Sequence, residues 1–372
     1  MSRNSSVFSR ILLVLGICSS LILTLVLLMC LLQVSPGSTA VKTESARLGL
    51  SDKFSRFVTN ELSDALDGVV YIPKEYWLSD EDMVAPEPNP DGFGYAKDPA
   101  SLGWLIEEAQ ELLDGQELIF NTDISIAEDS QIKYYLDDTI LAITWKQVVG
   151  YATYTFSEVK IQHPSQFRRF LSGGEYGSGV LYTATEMAVS VNAVTASSAD
   201  YYAYRPFGNT VYNGAVKRSG DTLLDTCYVD DQGDLRFTLK GELSRKEDIE
   251  NYVRDNNIRF SLAFGPLMIL DGEVLAKSYY SIGEVGQRYS RAALCQQGPL
   301  HYLVVAANSG GSSIVAFANN LRDMGIVTAY ALDGGQTATI VTGDELMNHV
   351  DYGGERKISD IIYFATAIPD GG

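Results

Sequence analysis

The chain opens on an unbroken apolar run. Residues 11–34 hold no charged side chain, and Val7 and Phe8 extend the stretch toward the N-terminus. About 20 apolar residues span the hydrocarbon core of a bilayer, so this run predicts a transmembrane segment. Arg3 and Arg10 precede it, and no acid appears before Glu44. Basic flanks stay on the cytoplasmic side, which sends everything after Val34 outward. A cleaved signal peptide is the alternative, with Ser38, Thr39 and Ala40 as a small-residue cleavage site. The apolar core of such a peptide runs about 7–15 residues, however, shorter than this one. The expectation is a cell-membrane protein with a single-pass signal anchor at residues 1–34 and an extracytoplasmic C-terminal domain.

Beyond the anchor the apolar period changes. Residues 35–50 read as a linker. Phe54, Phe57, Val58, Leu62 and Ala65 then fall on one helical face, with Gly68 as a stop. Residues 79–100 carry Pro86, Pro88, Pro90, Pro99, Gly92 and Gly94 in an acidic context and predict an extended loop. A second amphipathic helix places Leu102, Leu105, Ile106, Ala109, Leu112 and Leu113 inward. From about residue 130 strand signals dominate: β-branched and aromatic residues fill 139–145, 151–161, 179–196, 235–239 and 260–275. Ser244 and Glu247 have capping-box spacing ahead of a helix running to about Asn256. Near the end, an apolar strand at 301–307, a Gly/Ser loop, a helix at 314–324 and a strand at 326–332 predict a βαβ crossover onto a parallel pair. The fold class expected is α+β: a mixed sheet with packed helices and one C-terminal βαβ unit, preceded by a transmembrane helix. The expected divisions are a tail and anchor at 1–34, a linker with a helical and extended region at 35–130, and a main domain at 131–372.

Charge narrows the function. The chain carries 28 basic against 47 acidic residues, a net charge of −19, which repels phosphate backbones and excludes a nucleic-acid partner. Three histidines, His163, His301 and His349, supply no metal-ligand spacing. Carboxylates could bind calcium or magnesium, but no motif supports it, so neither a metal nor a cofactor is called for. Cys18 and Cys30 lie in the apolar run. Cys227 and Cys295 could pair in an oxidising compartment or stay as separate buried thiols.

Chemistry concentrates where buried strands end. Leu332-Asp333-Gly334-Gly335-Gln336-Thr337 sets an acid at a strand end, followed by glycines that let backbone approach a ligand and by a hydroxyl. The same sequence pattern also serves as a plain turn. Taken with Ser198-Ala199-Asp200-Tyr201-Tyr202, Asn213-Gly214, Phe264-Gly265-Pro266, Asp271-Gly272, Ser290-Arg291-Ala292-Ala293 and Glu355-Arg356, in that order, the segment resembles the phosphodiester glycosidase family across residues 155–367. That family includes enzymes that remove N-acetylglucosamine from a phosphodiester. The resemblance implies carboxylates at Asp333 and Asp200 for base or nucleophile work at the anomeric carbon, and a phosphate clamp from Arg291 and Arg356. It further implies backbone donors at Gly334 and Gly335, a hydroxyl at Thr337, and contacts from Tyr202, Asn213 and Glu355, the last as a salt-bridge partner of Arg356. Ser198 and Ala199 stand where the family has Asn-Gly, Ala292 where it has Thr, and Gln336 and Thr337 where it has Gly-Ser. Two functions are therefore carried forward. One is an anchored hydrolase of sugar-1-phosphodiesters in an envelope glycopolymer or exopolysaccharide. The other is an inactive polysaccharide-binding or assembly protein of the cell envelope.

Overall fold

A computed structural model describes residues 83–220, 224–275 and 285–368, all within one compact unit, Glu75–Gly372. The expected anchor at 11–34, the linker at 35–50 and the helix at 52–68 lie outside the described residues. Among those described, no helix is long and apolar enough to cross a membrane.

Two sheets stack face to face. The larger has nine strands, in the order Phe93–Ala96, Ile132–Leu136, Ile140–Val149, Ala152–Ile161, His301–Ser312, Tyr289–Gly298, Thr328–Leu332, Leu267–Leu270 and Glu273–Val274. The smaller has five: Glu345–Leu346, Ile340–Thr342, Thr195–Ser198, Asp360–Phe364 and Phe167–Leu171. A three-stranded sheet, Leu235–Thr238, Thr226–Val229 and Phe260–Leu262, lies beside them.

The central strands are covered on both faces, which is why their sequences read as continuous apolar runs. Alternation divides each strand between two cores. Ala293, Cys295, Leu303, Val305, Ala307, Ala329 and Ala331 pack against helices Gly103–Glu108 and Ile314–Asp323. Ala292, Leu294, Tyr302, Val304, Tyr330 and Leu332 face Phe167, Ile340, Ile362 and Phe364 of the smaller sheet. Helix Ala184–Ser190 covers the far side of that sheet through Ala184, Met187 and Ala188. Cys227 and Cys295 fall in different cores and are free, buried thiols.

The crossover needs one correction. Strands His301–Ser312 and Thr328–Leu332 do run in the same direction, with helix Ile314–Asp323 between them in sequence. Tyr289–Gly298 inserts between the two and pairs antiparallel with each, so among the described residues every ladder of this sheet is antiparallel and the sheet is not mixed. The first of these strands also continues through Ser312, taking up the expected Gly/Ser loop.

Other elements differ locally. Residues 179–196 form helix Ala184–Ser190 rather than strand, because Thr183 and Glu186 cap each other reciprocally; the strand begins only at Thr195. The helix expected after Ser244 is Lys246–Asp255, with Arg245 at its N-cap and no side-chain cap there; Arg245 pairs with Asp248 at 2.7 Å instead. The second amphipathic helix breaks at Ala109 into Gly103–Glu108 and Gln110–Leu113. The proline-rich stretch contains an unforeseen edge strand, Phe93–Ala96, against Ile132–Leu136.

Glu158 fastens the 118–121 segment to the larger sheet. It is 1% exposed, accepts the Ile119 and Phe120 amides at 2.8 Å each, and meets His301 Nε2 at 2.8 Å. His301 is thus structural, as its strand position suggests. Glu158→Ala leaves these groups unpaired at about 1–3 kcal/mol each. The expected result is a loss of at least about 3 kcal/mol in urea unfolding, and a smaller loss for Glu158→Gln, which keeps one acceptor.

Candidate active site

Asp333 stands where strand Thr328–Leu332 leaves the larger sheet. Its amide donates to the Ala199 carbonyl at 3.0 Å, just past strand Thr195–Ser198 of the smaller sheet. The site therefore lies at a seam between the two sheets. Gly334 is required by close approach: a Cβ there would sit 2.7 Å from the Ser290 carbonyl oxygen. Gly335 has φ +64°, which opens the turn into Gly335–Thr337. The Thr337 hydroxyl closes that turn by donating to the Gly334 carbonyl at 2.6 Å.

The Asp333 carboxyl is 8% exposed. Burial pushes its pKa up to about 7; contact with Thr337 and the positive charge of Arg205 and Arg356 restrain the rise, and the negative charge of Asp200 adds to it. A carboxyl with this value exchanges a proton near neutral pH, as a general acid or base requires.

Asp200 is differently placed. Its oxygens accept the Tyr201 amide at 2.6 Å, the Ala263 amide at 2.9 Å and Arg169 Nη2 at 3.4 Å. Arg169 also binds Asp360 through Nε and Nη2 at 2.7 Å and donates to the Ser261 carbonyl. Asp360 in turn accepts the Asp200 amide at 3.1 Å. All three side chains are almost fully buried. Asp200 is a fixed, hydrogen-bonded carboxyl that orders the 199–201 segment; Asp333, with its raised pKa, is the carboxyl placed to exchange a proton.

Arginines and tyrosines form the wall beside Asp333. The Tyr201 and Tyr204 rings stack at 4.7 Å. Arg356 lies 5.9 Å from the first ring and 5.1 Å from the second. Arg205 lies 5.6 Å from Tyr201 and 4.6 Å from Phe264, and donates to the Phe264 carbonyl at 3.2 Å. Gln336 Nε2 donates to the Gly354 carbonyl at 3.0 Å, tying the segment that carries Arg356 to the turn after Asp333.

Of the residues singled out from sequence, Asp333, Asp200, Gly334, Gly335, Thr337 and Arg356 gather here. Arg291 donates to the Ser312 and Gln287 carbonyls at 3.0 Å each, fastening the strand beside Gly334. Glu355 accepts the Thr185 amide at 3.1 Å, in the first turn of helix Ala184–Ser190, and makes no salt bridge with Arg356 among the described residues. Tyr202 packs between Tyr176 and Arg169. Asn213, with φ +49°, forms a two-residue hairpin turn with Gly214. Sequence reasoning missed Arg205, Arg169 and Asp360. Arg205 follows three tyrosines closely, but nothing in that spacing separates it from a surface cation.

The buried carboxyl, the arginines and the glycine turn lie within a segment that comparison with known proteins also matches. The phosphodiester glycosidase family profile matches residues 185–365, which contain Asp200, Arg205, Asp333 and Arg356. Residues 185–365 thus carry a phosphodiester glycosidase domain. Its fold is similar to that of the zebrafish N-acetylglucosamine-1-phosphodiester alpha-N-acetylglucosaminidase catalytic domain, auto-inhibited by its pro-peptide: TM-score 0.52 at 15% identity, covering 69% of this chain and 93% of that one. It is also similar to a hypothetical protein from Synechocystis, with TM-score 0.50 at 14% identity, covering 65% and 64%. No curated protein matches in sequence.

Asp360→Ala leaves Arg169 with one carboxylate in a buried setting, where breaking a buried ion pair costs about 3–5 kcal/mol. Thermal and urea unfolding are expected to show a loss of that size. Gln336→Gly releases the Gly354 carbonyl without touching Asp333. The expected result is a raised KM with kcat changed less than about threefold, since ground-state and transition-state binding weaken together.

Proposed function

We propose that this chain is a membrane-anchored, extracytoplasmic hydrolase that cleaves a sugar-1-phosphodiester, with an N-acetylglucosamine-like sugar, in an envelope glycopolymer. The observation that supports it most is Asp333: a buried carboxyl with a pKa near 7, beside two arginines, inside the segment matched by the phosphodiester glycosidase family. Membrane attachment rests on the apolar run at residues 11–34.

In this reaction ionised Asp333 takes a proton from water as the water oxygen bonds to C1. The C1–O bond breaks and its electron pair leaves on the phosphate oxygen. The products are the free sugar and a phosphomonoester. Arg356 and Arg205 hold the phosphate oxygens, since guanidinium donors match that geometry. A phosphate leaving group is far less basic than a sugar alkoxide, so no second carboxyl acid is needed. This fits Asp200, whose oxygens are already engaged by three donors. The Tyr201–Tyr204 stack offers a flat aromatic surface to the sugar.

Ala292, lacking the family's hydroxyl, favours the second reading, a protein that binds envelope polysaccharide without turnover. Assays with UDP-N-acetylglucosamine and N-acetylglucosamine-1-phospho-methyl mannoside separate the two. Hydrolysis releases N-acetylglucosamine, seen by mass spectrometry; the inactive reading gives saturable binding and no release.

As a base, Asp333 acts only when ionised. kcat/KM is therefore expected to rise about tenfold per pH unit below 7 and level off above it. A rate that instead falls as pH rises through 7 would show that the protonated form is the working one. Asp333→Asn removes the limb and lowers kcat by at least about 10²-fold, the range of general base catalysis. Arg356→Ala is expected to lower kcat/KM by about 10²-fold, comparable to removing one donor to developing charge.

A further inference from the structure

The end of the larger sheet that carries Asp333 also carries the ends of its neighbours. Strand Tyr289–Gly298 begins there and strand His301–Ser312 ends there. The hairpin of Ile140–Val149 and Ala152–Ile161 turns there, since Ala307 pairs with both Arg291 and Tyr154. Tyrosines collect along this rim. Tyr352 is 92% exposed and Tyr151 is 90% exposed, and Tyr204 and Tyr289 are exposed as well.

The loop bearing Tyr352 is tied to the site from both sides. Ser290 Oγ donates to Asp351 Oδ2 at 2.9 Å, and Gln336 Nε2 donates to the Gly354 carbonyl at 3.0 Å. The first bond reaches the strand beside Gly334, and the second reaches the turn after Asp333. Tyr352 has φ +61°, in the left-handed region that a bulky side chain rarely takes. A ring so exposed gains almost nothing from burial, so packing does not explain this backbone. Strain of this kind collects at ligand sites.

Tyr151 is placed by close approach of backbone. Strand His301–Ser312 bulges where it meets Tyr289 and Arg291. A Cβ at Gly310 would sit 2.6 Å from the Tyr151 carbonyl oxygen, and one at Gly311 would sit 2.9 Å from the Tyr289 backbone. The bulge thus packs the hairpin turn and the start of strand Tyr289–Gly298 against its two glycines. Three strand spacings, about 14 Å across the sheet, separate strand Ala152–Ile161 from the strand that ends before Asp333. The rim is therefore longer than one sugar ring. Its tyrosines have exposed neighbours that are polar or glycine: Gln287 and Arg288 beside Tyr289, Gly353 beside Tyr352, and Gly150 beside Tyr151. Such a setting suits a hydroxylated chain better than the apolar centre of a protein interface. Tyr151 also lies outside residues 185–365, so the family-matched segment does not supply it.

We propose that this rim is an extended binding surface for a glycan chain, with sugar rings stacked on Tyr352 and Tyr151 as the chain runs from the Asp333 site across the sheet end. A tyrosine ring offers an apolar face to a sugar and keeps its hydroxyl in water. The inference rests on the reading that the Asp333 site takes a sugar, and it does not require turnover there.

Calorimetric titration of the full chain with N-acetylglucosamine and with the chitin hexamer tests it. Neither carries a phosphodiester, so binding is read without cleavage. The hexamer is expected to bind at least about tenfold tighter, or about 1.4 kcal/mol. Tyr352→Asn removes the ring and keeps a residue that tolerates positive φ. This variant and Tyr151→Ser are each expected to narrow the gap to less than about threefold. Tyr352→Trp, which keeps a ring, is expected to keep the gap. Equal affinity for the two sugars, or no binding of the hexamer, overturns the proposal. So does a gap that survives both Tyr352→Asn and Tyr151→Ser. Turnover of N-acetylglucosamine-1-phospho-methyl mannoside is followed in parallel. Turnover without a length effect sinks the rim alone, and a length effect without turnover sinks the hydrolase alone.

Discussion

The contact on which the site depends is the buried cluster of Arg169, Asp200 and Asp360. One guanidinium faces two carboxylates with almost no access to water. Such a cluster is weak evidence for stability, since removing charges from water costs several kcal/mol per ion. Its value is positional. Arg169 belongs to strand Phe167–Leu171, Asp360 to strand Asp360–Phe364, and Asp200 to the segment leaving strand Thr195–Ser198. Hydrogen bonds from the cluster reach the Tyr201 and Ala263 amides and the Ser261 carbonyl. It thereby sets the two flanks of the site: the Tyr201–Tyr204 pair and the segment at Phe264 that receives Arg205. Asp333 is fixed against the same segment through Ala199.

Two aspartates in one site thus have unlike surroundings. Asp200 takes an amide donor on one oxygen and an amide with the Arg169 guanidinium on the other. Asp333 is buried with weaker compensation, and its pKa rises to about 7. Groups whose environments are pushed apart in this way divide the work between them. In the proposed reaction one organises structure and the other exchanges the proton, and a leaving phosphate makes that division workable because it departs without a dedicated acid.

Much of this was legible in the sequence where chemistry and local pattern coincide. Asp333, Gly334, Gly335 and Thr337 stand out because an acid and glycines follow an apolar strand, and close approach to Ser290 explains why glycine is needed. The long strands and helix Ile314–Asp323 were readable from apolar runs. What stayed hidden depends on partners distant in sequence. The antiparallel insertion of Tyr289–Gly298 between two parallel strands leaves no local trace. Arg169 lies in an apolar strand and meets its carboxylates 31 and 191 positions away. Arg291, Glu355 and Asn213 had suitable chemistry, but backbone groups and turn geometry claim them locally. The helix at Ala184–Ser190 was masked by its β-branched flanks, although its capping pair was present.

The proposed anionic substrate presents an acidic protein with an electrostatic conflict, and distance resolves it. The net charge of −19 is spread over the whole chain, whereas screening at physiological salt limits exposed charges to about 8 Å. Beyond that range the overall charge hardly opposes an approaching polymer. Within it, the nearest groups decide. Arg205 and Arg356 stand on aromatic rings beside Asp333. Arg205 is half-buried and Arg356 exposed, so their attraction acts at close range on a group that reaches the aromatic rings. Gln336 fits the same logic. In place of a family glycine it spends its side chain on Gly354 and steadies the segment bearing Arg356. The departure from the family pattern therefore changes how the segment bearing Arg356 is held and leaves the carboxyl at Asp333 in place.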